Sequence, residues 1–210
     1  MIVQKLIQQY PIISDQMSVD RLTTILLYLE KILEQNIAGD ITEFGCYIGT
    51  TSLFIRRMLN NFPINKDRKF YVYDSFDGLP DKVSQDISPI GQEFKKGELK
   101  ISKKSLINEF KKANLIPPII EKNWFSNIPD NALPQLIAFA YLDSDFYNSV
   151  SDSLKIVWPR LSINGQIIID DYKREALPGV DKAINDFFFK SKLNFNLKTI
   201  NHLALITKIN

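Results

Sequence analysis

Leu136-Ile137-Ala138-Phe139-Ala140-Tyr141-Leu142-Asp143-Ser144-Asp145 is an unbroken apolar run that ends in two acids. A second run, Gln166-Ile167-Ile168-Ile169-Asp170-Asp171, repeats the pattern further along the chain. Both are short and bounded by loop signals, as expected of strands buried on both faces of a parallel sheet. Ligands of such open sheets bind beyond the carboxyl ends of the strands. If the two strands are neighbours, four carboxylates converge on one sheet edge. Like charges that close do not all stay ionised unaided. Either some carry protons, or a hard cation such as Mg²⁺ sits among them. The plainer alternative is that individual aspartates cap the helices that follow.

Outward from these runs, strand-like and helix-like segments alternate, which argues for an α/β fold with a mostly parallel sheet. Leu22, Ile25, Leu26, Leu29, Ile32 and Leu33 recur at steps of three and four, so Arg21 to Gln35 reads as an amphipathic helix. Ile41 to Phe44 reads as a strand, Thr50 or Thr51 to Leu59 as a helix, and Phe70 to Tyr73 as a second strand. Ser102 to Ala113 reads as a helix with Ser102 as N-cap, and Ile119 to Glu121 as a third strand. A helix from Ser149 to Trp158 is expected to stop at Pro159, and another spans Gly179 to Phe189 after Pro178. Phe195 to Thr199 and Leu203 to Thr207 read as a hairpin turning at Asn201-His202, an antiparallel closure of the sheet. Residues 1–38 form an N-terminal helical cap on one domain covering 1–210. Residues 80–97 are polar and aperiodic, with Pro89, Gly91 and Gly97, and are expected to act as a mobile lid.

With 45% hydrophobic and 24% charged residues, 210 residues build a real core. A net charge of +2 without a basic stripe gives no case for nucleic acid. The single cysteine, Cys46, excludes an internal disulfide and a multi-cysteine zinc site, and the single histidine, His202, excludes a His-rich one. A carboxylate site for a hard ion is the protein-built metal option that remains. The start of the chain lacks a signal-peptide pattern and no segment reaches membrane-spanning length, so a cytoplasmic protein is expected, with self-association left open.

Glu43-Phe44-Gly45-Cys46-Tyr47-Ile48-Gly49 leaves the first strand for a helix. Its Gly-x-x-x-Gly spacing is not the Gly-x-Gly-x-x-Gly of dinucleotide sites. Glu43 beside the loop suits a cationic ligand such as an ammonium or a sulfonium. Asp74, at the end of the second strand, is placed to accept both ribose hydroxyls of a nucleoside. Asp74-Ser75-Phe76-Asp77-Gly78-Leu79-Pro80 is also ordinary turn chemistry.

Several stretches then occur in order: Gly39 to Gly45, Tyr73-Asp74-Ser75-Phe76-Asp77-Gly78-Leu79-Pro80, Leu142-Asp143-Ser144-Asp145-Phe146-Tyr147, Ile169-Asp170-Asp171-Tyr172, and Pro178 to Phe187. Together they are similar to the macrocin O-methyltransferase family, sugar-modifying enzymes of macrolide and aminocoumarin pathways. The resemblance implies the class I methyltransferase (Rossmann-like) fold, seven strands with helices on both faces. It implies S-adenosyl-L-methionine and Mg²⁺ as cofactors and methylation of a hydroxyl on a sugar or glycosylated small molecule. It places Glu43, Gly45 and Gly49 at the methionine part of the cofactor, Asp74 at the ribose, Ser75 beside the adenosine and Trp124 at the adenine. Asp143, Asp170 and Asp171 would bind the metal, with Asp145 as general base. Asn123 and Ser144 depart from the family pattern, which has glycine at both positions. The competing expectations are an NAD-dependent oxidoreductase, and a binding protein that kept this fold without activity. His202, at the expected hairpin tip, is the competing base. The simpler reading of it is a turn residue.

Overall fold

The computed structural model describes residues 2–63, 67–91, 94–191 and 193–209. The chain begins with helices α1 (Ile2–Gln9) and α2 (Val19–Glu34). Ser18 caps α2 by accepting from the Arg21 amide at 3.2 Å. There follow β1 (Asp40–Phe44), α3 (Thr50–Asn60), β2 (Phe70–Asp74), α4 (Lys103–Lys112) and β3 (Ile119–Lys122). The second half holds β4 (Ile137–Leu142), α5 (Tyr147–Arg160), β5 (Leu161–Ile169), α6 (Pro178–Ile184), β6 (Phe195–Ile200) and β7 (Leu203–Lys208). The seven strands form one sheet in the order β3-β2-β1-β4-β5-β7-β6. β1 to β5 run parallel, and β7 pairs antiparallel with both β5 and β6.

β4 is buried at every position because helices cover both faces of the sheet. Alternation divides its side chains. Phe139 and Tyr141 join the core under α1 to α4, while Ala140 and Leu142 join the core under α5 and α6. β4 and β5 are neighbours, with Leu142 beside Ile169, so the two acid clusters leave the sheet side by side.

Three expectations are corrected. Pro159 does not stop α5, which runs through it to Arg160. In the last turn a proline removes one hydrogen bond and leaves the rest of the helix intact. β5 begins at Leu161, directly after the helix, rather than at Gln166. The helix expected over Gly179 to Phe189 divides into α6 and a π turn, Asn185–Phe189.

The 80–97 segment is pinned at its ends, where the Leu79 amide donates to the Glu98 carbonyl and the Gly97 amide to the Leu79 carbonyl, each at 2.9 Å. Its first half is strapped to the body. Buried Asp86 accepts from the first amide of α5, Tyr147, at 2.7 Å and from the Val83 amide at 3.0 Å. Ser88 Oγ donates to the Glu175 carbonyl at 2.7 Å. Gln92 and Glu93, within the expected lid, lie outside the described residues.

Candidate active site

The sheet ladder continues one residue past the strand ends. The amide of Gly45 donates to the Tyr73 carbonyl, that of Asp143 to Phe44 and that of Asp170 to Leu142, each at 2.9 Å. This sets Asp74, Gly45, Asp143 and Asp170 in a row along one edge. Gly45, Asp74 and Asp143 border a cavity of about 350 Å³, the size range of small-molecule sites, and Asp170 does not line it. Glu43, Ser75, Trp124, Asp145 and Asp171 also line it.

On the β1–β2 side, Asp74 Oδ2 accepts from the Cys46 amide at 2.9 Å and Oδ1 from the Phe76 amide at 2.7 Å. The Cys46 thiol adds a weak donor to Oδ2 at 3.4 Å; these bonds fix the carboxylate, and Oδ1 keeps a lone pair for a ligand. Ser75 Oγ accepts from the Asp77 amide at 3.1 Å and donates to the Gly78 carbonyl at 3.3 Å, so it shapes the turn as well as the cavity wall. Gly45 and Gly49 both have positive φ, at 82° and 88°. A Cβ at Gly45 would meet the Asp143 carbonyl oxygen, and one at Gly49 would meet the Leu106 side chain. Positive φ favours glycine at both, and at Gly45 the neighbouring backbone requires it whatever the ligand; Gly49 does not itself line the cavity. Glu43 is buried and accepts from Ser52 Oγ at 2.5 Å. Burial pushes its carboxyl up from 4.5 to about 8, against the Ser52 hydrogen bond.

On the β4–β5 side, carboxylate oxygens of Asp143, Asp145 and Asp171 lie within 4.8 Å of one another. Burial and the neighbouring aspartates raise the Asp143 carboxyl, and burial with Asp171 and Asp170 pushes Asp145 up to about 8. Asp145 and Asp171 hold left-handed backbone, both at φ 58°, which aspartate tolerates better than most residues. Asp170 is turned away from this trio. Its Oδ1 accepts from Arg21 Nη1 at 2.9 Å, and its Oδ2 accepts from the Tyr141 hydroxyl at 2.6 Å.

Sequence reading missed Arg21 as a site residue. Arg21, in the first turn of α2, also pairs with Asp171 at 3.3 Å, and Arg174 pairs with Asp171 at 2.7 Å. Burial opposes the Arg21 charge, but Asp170, Tyr141 and Asp171 outweigh it and hold its pKa above the ordinary value. Two guanidiniums thus face four aspartates, of which burial and neighbouring acids hold Asp143 and Asp145 towards the neutral form. His202 does not line the cavity. Its side chain is exposed, and its carbonyl accepts from the Tyr172 amide at 2.8 Å.

The family model described as macrocin O-methyltransferase (TylF) matches residues 7–208. The chain belongs to the macrocin O-methyltransferase family. One relative in this family is the 8-demethyl-8-(2,3-dimethoxy-alpha-L-rhamnosyl)-tetracenomycin-C 4'-O-methyltransferase of Streptomyces olivaceus. It is 30% identical over 173 residues, covering 80% of this chain and 64% of the relative. The chain thus spans just under two thirds of that protein's length. The mycinamicin III 3''-O-methyltransferase of Micromonospora griseorubida is 28% identical over 189 residues, 86% of this chain and 72% of the relative. Among solved structures, the O-methyltransferase NovP superposes with a TM-score of 0.81 at 24% identity, covering 92% of this chain and 81% of that one. That likeness is one of fold, the class I methyltransferase fold, and the seven-stranded macrocin O-methyltransferase sheet found here conforms to it.

Both implied groups meet residues that suit them. Thr50 Oγ1 and Ser144 Oγ are buried, belong to cavity-lining residues and have no hydrogen-bond partner, as expected where a polar ligand completes the wall. The oxygen-only carboxyl trio, whose raised members ionise more readily beside positive charge, suits a divalent cation with oxygen preference. Among the described residues, no helix is long and apolar enough to cross a membrane.

Proposed function

We propose that the protein is an S-adenosyl-L-methionine- and Mg²⁺-dependent O-methyltransferase acting on a hydroxyl of a sugar or glycosylated small molecule. The observation that carries this reading is the opening of a nucleoside-type wall, Gly45 and Asp74, and a carboxylate trio, Asp143, Asp145 and Asp171, onto one cavity. Family membership and the sugar named in the tetracenomycin relative support the choice of acceptor.

When bound, the cofactors supply an electrophilic methyl on a sulfonium and a Lewis acid beside the acceptor. The chain does the remainder. Glu43, Gly45 and Gly49 seat the methionine part, with Glu43 facing its ammonium. Asp74 accepts from the ribose hydroxyls, Ser75 borders the adenosine and Trp124, 39% exposed on the cavity wall, flanks the adenine. Asp143 and Asp171 hold the metal, joined by Asp170 when it is released from its present partners. Asp145 takes the proton of the acceptor hydroxyl. With its carboxyl near 8 in the ligand-free site, it is mostly protonated at neutral pH, and positive charge entering the site favours the ionised form that accepts a proton. Holding both reactants in line lowers the barrier further, and the 80–97 segment closes the cavity against water.

Calorimetry with S-adenosylhomocysteine and with NADH tests the cofactor, and methyl transfer to a panel of glycosides, with EDTA and then excess Mg²⁺, tests the reaction. Binding of the nucleoside sulfide together with EDTA-sensitive, Mg²⁺-restored transfer is expected. Binding of NADH in its place overturns the reading in favour of an oxidoreductase. Binding of neither ligand leaves a protein that kept the fold alone. Full transfer in a metal-free preparation removes the metal role.

A further inference from the structure

We infer that Arg21 is a built-in competitor of the divalent cation, a positioning residue that occupies Asp170 and Asp171 and ties the N-terminal segment to the acid cluster. The inference rests on the metal reading given above. Arg21 Nη1 stands 2.9 Å from Asp170 Oδ1 and 3.3 Å from Asp171 Oδ1, so one nitrogen bridges both acids of the second cluster. The side chain of Asp170 is 1% exposed and that of Arg21 15%, so water screens the pair poorly. The other terminal nitrogen of Arg21 donates to the Gln16 carbonyl. Ser14, Gln16 and Met17 border the same cavity. A single guanidinium therefore links the acids to the loop that walls the site.

The consequence is a competition of charges. Asp170 is largely occupied in this arrangement, since Arg21 and the Asp171 amide share Oδ1 and the Tyr141 hydroxyl takes one lone pair of Oδ2. A cation that recruits Asp170 through Oδ1 must draw it from Arg21, and one that binds Oδ2 still shares the carboxylate with that guanidinium. A cation on Asp171 alone still meets the repulsion of a guanidinium a few ångström away. Arg21 keeps the acid cluster tolerable in the metal-free protein and weakens cation binding by the same interaction. As the ion takes over the carboxylates, the tie to Gln16 loses its anchor and the 14–18 segment loosens.

The sign of the effect makes the test specific. Ordinary damage to a site weakens binding, whereas removal of a competing charge tightens it. Mg²⁺ and Mn²⁺ binding to the purified protein is titrated by calorimetry, without cofactor or acceptor, for wild type, Arg21→Gln and Arg21→Lys. Arg21→Gln should bind about tenfold tighter or more, the effect of one unit charge near a divalent ion even at the dielectric of water. Arg21→Lys keeps the charge and should return towards wild type. In EDTA the melting temperature of Arg21→Gln should fall below wild type, and Mg²⁺ should raise it by more. Hydrogen exchange on wild type is independent of how any variant folds, and residues 14–18 should exchange faster with Mg²⁺ bound. Equal or weaker cation binding by Arg21→Gln overturns the inference while leaving the metal site standing, as does protection of 14–18 by Mg²⁺. Failure of wild type and both variants to bind either cation removes the metal reading itself, and the inference falls with it.

Discussion

The carbonyl oxygen of Asp143 stands 1.9 Å from the point a Cβ at Gly45 would occupy. The turn after β1 and the end of β4 are thus in backbone contact, and the same contact aims the first acid of the cluster. Gly45→Ala meets two penalties. Left-handed backbone, φ 82° here, costs a non-glycine residue about 1–2 kcal/mol, and the clash forces β1 and β4 apart. Denaturant melts should show a loss of at least about that size. Divalent cation affinity should fall as well, because Asp143 moves with the strand end. A variant as stable as wild type would show that this contact is loose in solution.

Glu43 gives a pH signature. Its folded-state pKa, about 8, lies above the ordinary 4.5, so the folded protein holds this proton more tightly than the unfolded chain does. The associated stability is complete below about 4.5 and is lost as pH rises towards and through about 8. Burial acts in the same direction on Asp143, Asp145 and Asp170, so the share of Glu43 is the difference between wild type and Glu43→Gln. The variant should gain on wild type across that window in melts at successive pH values. Docking of the cofactor ammonium on Glu43 should also expel a proton near neutrality. Binding enthalpy measured in buffers of different ionisation heat should show up to about one proton released by wild type and less by the variant. Matching proton counts would place the ammonium elsewhere.

The positions of Gly45, Asp74, Asp143 and Asp170 at strand ends were legible because each follows a short apolar run, a local pattern that sets strand and exit together. β4 and β5 as neighbours followed from the fold class those runs imply. Arg21 was not legible. It sits 149 positions from Asp170, in a helix whose only periodic signal is its apolar face, and nothing local marks which polar residue of the opposite face reaches inward. Pro159 misled for a related reason, since a proline signals a helix end but does not tell whether it lies in the last turn or after it. Ser75 and Asp74 carry turn bonds and cavity exposure at once, so the two readings of that stretch were never exclusive.

Asp86 decides how the 80–97 segment behaves. It caps α5 through the Tyr147 amide, and a Cβ at Gly179 would lie 1.8 Å from its Oδ1, so α6 closes over it as well. Phe146 is the N-cap residue itself and offers no side-chain acceptor, so Asp86 stands in for one, and losing such an acceptor costs about 0.5–2 kcal/mol. Asp86→Ala should lose stability of that order, and hydrogen exchange over residues 80–91 should quicken. In wild type, exchange should be slow around Asp86 with or without ligands and slow further in the later part of the segment when cofactor and acceptor bind. Uniform fast exchange throughout ligand-free 80–91 would mean the strap does not hold.

The proposed function gives proton transfer to Asp145 rather than to His202. Asp145 shares the cavity with Asp143 and Asp171, whose carboxylates lie within 4.8 Å of its own, and its left-handed backbone aims it there from a turn directly after β4. His202 sits at the β6–β7 turn with its side chain in solvent, so an acceptor would have to leave the cavity to reach it. Asp145→Asn keeps shape and backbone preference but removes the base. The methylation rate should drop by the ~10²–10⁴-fold typical of general-base loss, with S-adenosylhomocysteine affinity nearly unchanged. His202→Asn tolerates the positive φ of that turn, 61°, and should stay near wild type. The reverse pattern, a fast Asp145→Asn and a slow His202→Asn, would move the base to the hairpin and leave Asp145 as a group that orients the acceptor.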